Sequence, residues 1–248
     1  MNEKNTYSSL FFTSIPYTKV NINHGFWKKI QNLNEEKAIF HQWRMLEQSG
    51  CIDNFRIVAK KKEGYRKGLF YCDSDVHKWS EAAIRIFANK KNKKLKELIE
   101  QYISILKEAQ DEDGYISTRV MYEDNKRFQS IHRHELYNMG HLMTAACIHY
   151  RATGKTNFLD IAKKTGDYLY KTFVPCPPEL AHFGFNPSNI MGAVELYRTT
   201  KDPRYLKLAK TFVAMRGSAP GGTDQNQTRT LLREENQAVG HAVTANYL

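Results

Sequence analysis

What this chain lacks narrows its class before any motif is found. No apolar run in its 248 residues approaches the roughly 18–20 residues that a membrane-spanning helix needs, so no membrane partner is expected. The first twenty residues hold only the short apolar patch Leu10-Phe11-Phe12, carry Glu3 and offer no small-residue cleavage site. A secretory leader is therefore not expected, and the expectation is a cytoplasmic protein. The four cysteines, Cys51, Cys72, Cys147 and Cys176, form no close pair along the chain. A disulfide framework needs an oxidising compartment and zinc sites usually carry CxxC-like spacing, so these read as ordinary reduced thiols. Strand signal is almost absent: only 17–22 alternates in a way that suits a strand. No P-loop, dinucleotide fingerprint, HExxH or GxSxG occurs.

What is present is a globular composition, 41% hydrophobic and 12% aromatic, too apolar for a disordered chain. The formal charge is +11, and Lys60-Lys61-Lys62 and Lys90-Lys91-Asn92-Lys93-Lys94 are its densest basic runs. Neither run carries interleaved aromatics or a nucleic-acid motif, so both read as solvated surface and no nucleic-acid partner is expected.

Helical periodicity dominates. Leu95, Leu98, Ile99, Tyr102, Ile105, Leu106 and Ala109 mark one face of a helix whose other face carries Lys96, Glu97, Glu100, Gln101, Ser104 and Lys107. Similar patterns cover about 33–49, 75–89, 134–152, 158–173, 188–200, 203–216 and 234–248, which makes eight helices. Two segments also repeat each other at a constant offset of 47 residues: Ala146, Tyr150-Arg151, Thr153, Phe158-Leu159 and Ala162-Lys163 return as Ala193, Tyr197-Arg198, Thr200, Tyr205-Leu206 and Ala209-Lys210. That period fits one helical hairpin, a unit that buries its apolar faces only against neighbouring hairpins. Helices starting near Leu95, Phe158 and Pro203 are lysine-rich and outward-facing, whereas those containing Trp79 to Ala83, His134 to His141, Asn189 to Val194 and Glu234 to Val243 carry Gly and Ala where helices would crowd. Alternating inner and outer helices suit a double-layered toroid or an open solenoid. The concentration of His, Asn, Asp and Trp at the inner-helix starts favours the toroid, which gathers those starts around one cavity.

The residues at those starts are Asp73-Ser74-Asp75 with Lys78-Trp79, then His132, His134-Glu135-Leu136-Tyr137 and His141, then Phe185-Asn186-Pro187-Ser188-Asn189, and finally Glu234-Glu235 with His241. Asp73, Ser74 and Ser188 have an alternative role as helix caps. Asp111-Glu112-Asp113-Gly114-Tyr115 has one as a turn after an outer helix, although Tyr115 suits stacking on a sugar at a cavity mouth. His134 and His141 stand seven apart, about two turns, on nearly one face. Several carboxylates, among them Asp73, Asp75, Glu81, Glu135, Glu234 and Glu235, could form an acid/base pair, but spacing gives no distance between them.

In order along the chain, Gly25-Phe26-Trp27, Asp73-Ser74-Asp75-Val76-His77-Lys78-Trp79, Ala109-Gln110-Asp111-Glu112-Asp113-Gly114-Tyr115, His134-Glu135-Leu136-Tyr137-Asn138-Met139-Gly140-His141-Leu142, Glu195-Leu196-Tyr197-Arg198 and Gly240-His241-Ala242-Val243 resemble the β-L-arabinofuranosidase families of glycoside hydrolases, 127 and 146. The resemblance runs from about residue 18 to the last residue and implies an all-α (α/α)6 toroid of six hairpins, of which this chain holds about eight of twelve helices. It divides the chain into a tail, 1–17, and the N-terminal portion of the catalytic domain, 18–248.

The resemblance also implies retaining exo-hydrolysis of L-arabinofuranosides by a zinc-bound cysteine thiolate, with a glutamate as acid/base and the metal held by a glutamate and three cysteines. Zinc binding keeps a thiol in its nucleophilic thiolate form. Those catalytic residues lie in the second half of the family barrel. None of the four cysteines here matches a nucleophile or ligand position, so no catalytic and no metal residue is assigned. Zinc is expected for the full-length family and for no residue of this chain.

What carries over is the sugar side: His134 and His241 match family histidines that face the arabinose, and Asn186 stands where one branch has a third. Asp75, Trp79 and Tyr115 complete the candidate substrate-binding set. The implied partner is an L-arabinofuranose-containing oligosaccharide, and the open barrel face implies self-association through an apolar patch of more than ~600 Å². Two alternatives remain at this level. One is a metal-free two-carboxylate glycosidase using, for example, Asp75 and Glu135; the other is a non-catalytic helical-repeat binding module.

Overall fold

The computed structural model describes residues 15–248, so the patch Leu10-Phe11-Phe12 and most of the expected tail lie outside the described residues. Among the described residues there are eleven α-helices and no strand. The alternating stretch 17–22 forms a single 3-10 turn, Tyr17–Lys19, and then extended chain. With no neighbouring strand to pair with, alternation alone gives no ladder.

α1 (Gly25–Leu33) runs through one π-helical turn, Asn34–Ala38, into α2 (Ile39–Gln48), so the helix expected over 33–49 begins at Gly25. α3 (Cys51–Val58) is an addition to the sequence expectation, as is the short α6 (Thr118–Glu123). The rest of the core is three hairpins: α4 (Cys72–Lys90) with α5 (Lys93–Ala109), α7 (Glu135–Thr153) with α8 (Asn157–Phe173), and α9 (Ser188–Thr200) with α10 (Pro203–Met215). α4, α7 and α9 lie side by side with α7 in the middle; α8 backs α7, and α10 backs α9 and touches α8. This is the inner and outer layering that the lysine-rich and Gly/Ala-rich helices suggested.

The 47-residue repeat has a physical basis in the hairpin turn. Thr153 Oγ1 donates to His149 O at 2.7 Å and accepts from Lys155 N, while Thr200 Oγ1 donates to Leu196 O at 2.7 Å and accepts from Asp202 N. Gly154 and Lys201 then close their helices in the left-handed region, satisfying the last carbonyls as helix C-caps do. Two of the outer helices, α5 and α10, start on side-chain caps: Asn92 Oδ1 accepts from Leu95 N at 3.0 Å, and Asp202 Oδ1 accepts from Arg204 N at 2.9 Å beside Pro203.

The inner seam depends on two glycines. A Cβ at Gly140 of α7 would sit 2.3 Å from the carbonyl of Ser188, and one at Gly192 of α9 would sit 2.7 Å from the carbonyl oxygen of Gly140. α7 is consequently buried nearly all round.

One expected helix is mostly lost. Of 234–248, only α11 (Ala242–Tyr247) is helical. Gly240 takes φ +76° and His241 N donates to Gln225 O, so the chain ahead of His241 is bound to the 224–225 segment instead of coiling. The basic runs lie on the surface, Lys60-Lys61-Lys62 after α3 and Lys90-Lys91-Asn92-Lys93-Lys94 at the α4–α5 turn. Lys62 pairs with Asp53 at 2.6 Å and Lys90 with Glu35 at 3.4 Å. Among the described residues no helix is long and apolar enough to cross a membrane.

Candidate functional site

The site is built on the entry to α7. His134 occupies the N-cap position at φ 54°, ψ 29°, a left-handed conformation uncommon outside glycine and asparagine and often found at functional positions. That backbone turns the imidazole into an aromatic cage. It stacks on Phe70 at 5.7 Å and 6° between planes, and meets Tyr71, Tyr137 and Phe185 edge-on at 5.8, 5.9 and 6.5 Å.

His134, Asn186 and His241 line one cavity of about 330 Å³, with Tyr71, Tyr137, Phe185, Gln225 and Asn226 among its walls. The three residues come from the starts of α7, α9 and α11. Gly240 aims the third: a Cβ there would lie 2.0 Å from Asp224 O, so only glycine lets the strand of chain before His241 press against this loop. Asn186 is nearly buried, and its Oδ1 accepts from Ser188 N at 3.1 Å and from Ser188 Oγ at 2.9 Å, which fixes the start of α9. Among the described residues its amide nitrogen donates to nothing.

Burial holds the His134 imidazole below its ordinary pKa, with His132 pushing the same way, so it is neutral at pH 7. Its Nδ1 is buried and has no partner among the described residues. A neutral imidazole with an unused nitrogen, set among aromatic faces, can exchange hydrogen bonds with a sugar hydroxyl.

The other expected site residues go elsewhere. Trp79 is 3% exposed, its Nε1 donates to Ile39 O at 2.9 Å and its ring lies 4.4 Å from that of Trp43; it is a core contact between α4 and α2. Asp75 lies with Gln42, Lys78 and the edge of Trp79 on a second cavity, and burial raises its pKa while Lys78 opposes. Lys78 bonds the Tyr137 hydroxyl and so touches the first site from behind. Tyr115, expected at a cavity mouth, is fully buried. Its hydroxyl donates to Glu135 Oε1 at 2.5 Å and the Arg127 guanidinium covers its ring at 4.1 Å.

Glu135 itself is enclosed: besides Tyr115 it accepts from Phe128 N at 3.0 and 3.1 Å, and burial raises its pKa. It anchors the 115–128 segment to α7, which removes it as one member of an Asp75–Glu135 acid/base pair. Asp73 likewise accepts from Thr118 N and Oγ1 at 2.8 and 2.5 Å, and Asp111 and Asp113 share Arg127. His141 is buried behind Tyr137, ring to ring at 4.7 Å, with its pKa lowered to about 3 by burial and then by Lys78. Glu234 and Glu235 lie in the loop before α11.

Sequence reasoning missed Tyr71 and Arg216. Arg216 is fully buried, its guanidinium donating to Phe185 O, to Gln227 Oε1 at 2.8 Å and to Asn226 O at 3.4 Å. With no carboxylate in contact, burial lowers its pKa to about 10. It ties together Phe185 and Asn226, two residues of the cavity wall. Nothing in the local pattern of an arginine ending an outer helix marks that role.

Among the described residues no three His, Cys, Asp or Glu side chains converge. Cys147 lies inside α7, and Cys176 is exposed after α8. These residues do not fit the glutamate-and-three-cysteine centre.

The comparisons agree with the geometry. The family model described as the GH127 β-L-arabinofuranosidase catalytic domain matches residues 19–248. A non-reducing end β-L-arabinofuranosidase of Bifidobacterium longum is 26% identical over 275 aligned positions, covering 92% of this chain and 42% of its own length. The solved GH127 β-L-arabinofuranosidase of Geobacillus stearothermophilus T6 superposes with a TM-score of 0.85 at 32% identity, over 92% of this chain and 40% of that one. A second solved GH127 β-arabinofuranosidase gives 0.85 at 31%, over 94% and 38%. This chain thus spans about two fifths of the length of these relatives. With its inner-helix starts gathered on one cavity and its whole described core matching, the chain belongs to the GH127 β-L-arabinofuranosidase family, as a portion of the catalytic domain.

Proposed function

We propose that this chain forms the arabinofuranose-binding side of a β-L-arabinofuranosidase barrel, and that His134, His241 and Asn186 contact the sugar. The observation that carries this reading is their convergence, from three separate helix starts, on one aromatic-walled cavity. Its size of about 330 Å³ suits one sugar ring. Exo-hydrolysis with retention, and the zinc–thiolate centre that performs it, belong in this proposal to the family's remaining residues. No bond-breaking step is assigned to this chain.

Titration with methyl β-L-arabinofuranoside, followed by calorimetry or saturation-transfer NMR, tests the proposal. His134→Ala is expected to weaken binding about tenfold, the worth of one hydrogen bond near 1.4 kcal/mol. Equal affinity for methyl β-D-glucopyranoside, or a His134→Ala chain that binds as well as the parent, would overturn it.

The same proposal includes self-association. Phe26, Trp27, Ile30 and Leu33 of α1 are all exposed, an apolar helix face of the kind that soluble monomers rarely leave uncovered. Sedimentation is expected to show concentration-dependent association that Ile30→Glu with Leu33→Glu reduces; a single monomeric species at all concentrations would refute it.

A further inference from the structure

We propose that Cys51 and Cys72 form a reversible redox pair, a disulfide joining the first residue of α3 to the first residue of α4 and coupled to the cavity through Phe70 and Tyr71. The two thiols are distant in sequence but both lie beside Gly68 in the fold. A Cβ placed at Gly68 would lie 3.3 Å from Cys72 Sγ and 3.8 Å from Cys51 Sγ, so both sulfurs face one point. Each is the first residue of its helix, where the positive end of the helix dipole favours a thiolate.

Donors surround the pair. Ser49 Oγ donates to Cys51 Sγ at 3.2 Å, and Asn54 Nδ2 and an Arg66 NH2 group donate to Cys72 Sγ at 3.4 and 3.2 Å. The Cys72 thiol beside it, opposed by burial and aided by Ser49, draws Cys51 below the ordinary thiol range, while Cys51 and burial push Cys72 up. One sulfur of the pair thus ionises easily and the other keeps its proton. At Cys147 burial outweighs the Thr199 hydroxyl and Arg151 and pushes the thiol up to about 11.

The oxidant is a small hydroperoxide, reaching the pair past the largely exposed segment 60–71. The thiolate attacks one peroxide oxygen and the O–O bond breaks, giving a sulfenic acid and an alkoxide that takes up a proton. The second sulfur then attacks the sulfenic sulfur, the S–S bond forms, and hydroxide leaves with the remaining proton as water. Two thiols and ROOH become a disulfide, ROH and water, and a dithiol reductant reverses the exchange.

Bond formation brings the sulfurs to about 2 Å, which pulls on the start of α4. Phe70 and Tyr71, immediately before Cys72, are the stacking and edge partners of His134, and Asn138 of α7 holds Phe70 O at 3.2 Å. The cross-link therefore reaches the imidazole through two residues of chain.

The test uses the full chain carrying Cys176→Ser, which leaves three thiols and removes the exposed one that would cross-link molecules. After tert-butyl hydroperoxide, alkylation and digestion, the expected product is one intramolecular disulfide between the Cys51 and Cys72 peptides, reversed by dithiothreitol. Thiols titratable after denaturation fall from three to one, and Cys51→Ser abolishes the change. Full alkylation of all three thiols after peroxide, or oxidation that stops at a sulfinic acid on one cysteine, would overturn the pair. Nitrogen-15 resonances of the His134 imidazole are expected to differ between the two states. Unchanged resonances in the cross-linked chain would refute the coupling. Neither readout uses sugar binding, so the arabinofuranoside reading stands or falls separately.

Discussion

Gly140→Val is expected to leave no cooperatively folded chain. Its new Cβ would lie 2.3 Å from both the carbonyl carbon and the oxygen of Ser188 and 2.6 Å from Asn189 N. These are backbone atoms at the entry to α9, and unlike a side-chain tip they cannot rotate aside. Relief requires separating α7 from α9, the seam that also brings Gly192 against the Gly140 carbonyl. Overpacking against movable side chains costs about 1–3 kcal/mol; against two fixed backbones the loss should exceed about 4 kcal/mol, a large share of a domain's stability. Gly140→Ala is the sharper measurement. Its helix propensity works in favour of folding by about 1 kcal/mol, so a lowered urea midpoint isolates the clash. An unchanged midpoint would show that the seam is looser than described.

Acidification from pH 7.5 to 6 is expected to lower stability by about 2 kcal/mol. His77, His141 and His149 are all buried, and burial is the first cause of pKa values lowered to about 3, about 3 and about 4. In the unfolded chain each returns to about 6.5. Below that value the unfolded state binds more protons than the folded state, so stability is full above pH 6.5 and declines as pH falls. Linkage gives about 0.8 kcal/mol per histidine at pH 6, or a fall in Tm of several degrees for a domain of this size. The window stops short of the carboxylate range, because the raised pKa values of Glu135 and Asp73 act in the opposite sense at lower pH. His149→Leu, whose ring packs beside Phe158 at 6.0 Å, should remove about a third of the slope. A Tm flat between pH 7.5 and 6 would mean that these imidazoles protonate in place.

Much of this was legible from the sequence, for reasons that particular residues make plain. The Leu95–Ala109 face reads as an outer helix because its period of 3.6 is set locally, and Asn92 caps it through a bond three residues long. The repeat is legible because the same threonine-gated turn is built twice, at Thr153 and at Thr200. His134 and His241 could be named because they stand in motifs that resemble the family's, and Asn186 because it stands where one branch has a third histidine; the family match spans all three positions.

Tertiary structure decided what those motifs do. Trp79 and Tyr115 have the chemistry of sugar-stacking residues, yet neighbouring helices and loops enclose both rings. Glu135 stands beside His134 in sequence, but adjacent side chains at a helix start diverge, and it turns to the Tyr115 hydroxyl while His134 turns to the cavity.

Long-range partners were invisible for the same reason. Cys51 and Cys72 meet only when α3 packs beside α4, and Arg216 joins two cavity walls from the end of an outer helix. The sequence by itself determined the helices, their inner and outer faces, the hairpin repeat and the family, because each rests on local periodicity or on short motifs. Which side chains share a cavity, which carboxylates are locked in the frame and which thiols lie near one another depended on how the hairpins pack, since those distances are set between segments far apart in the chain.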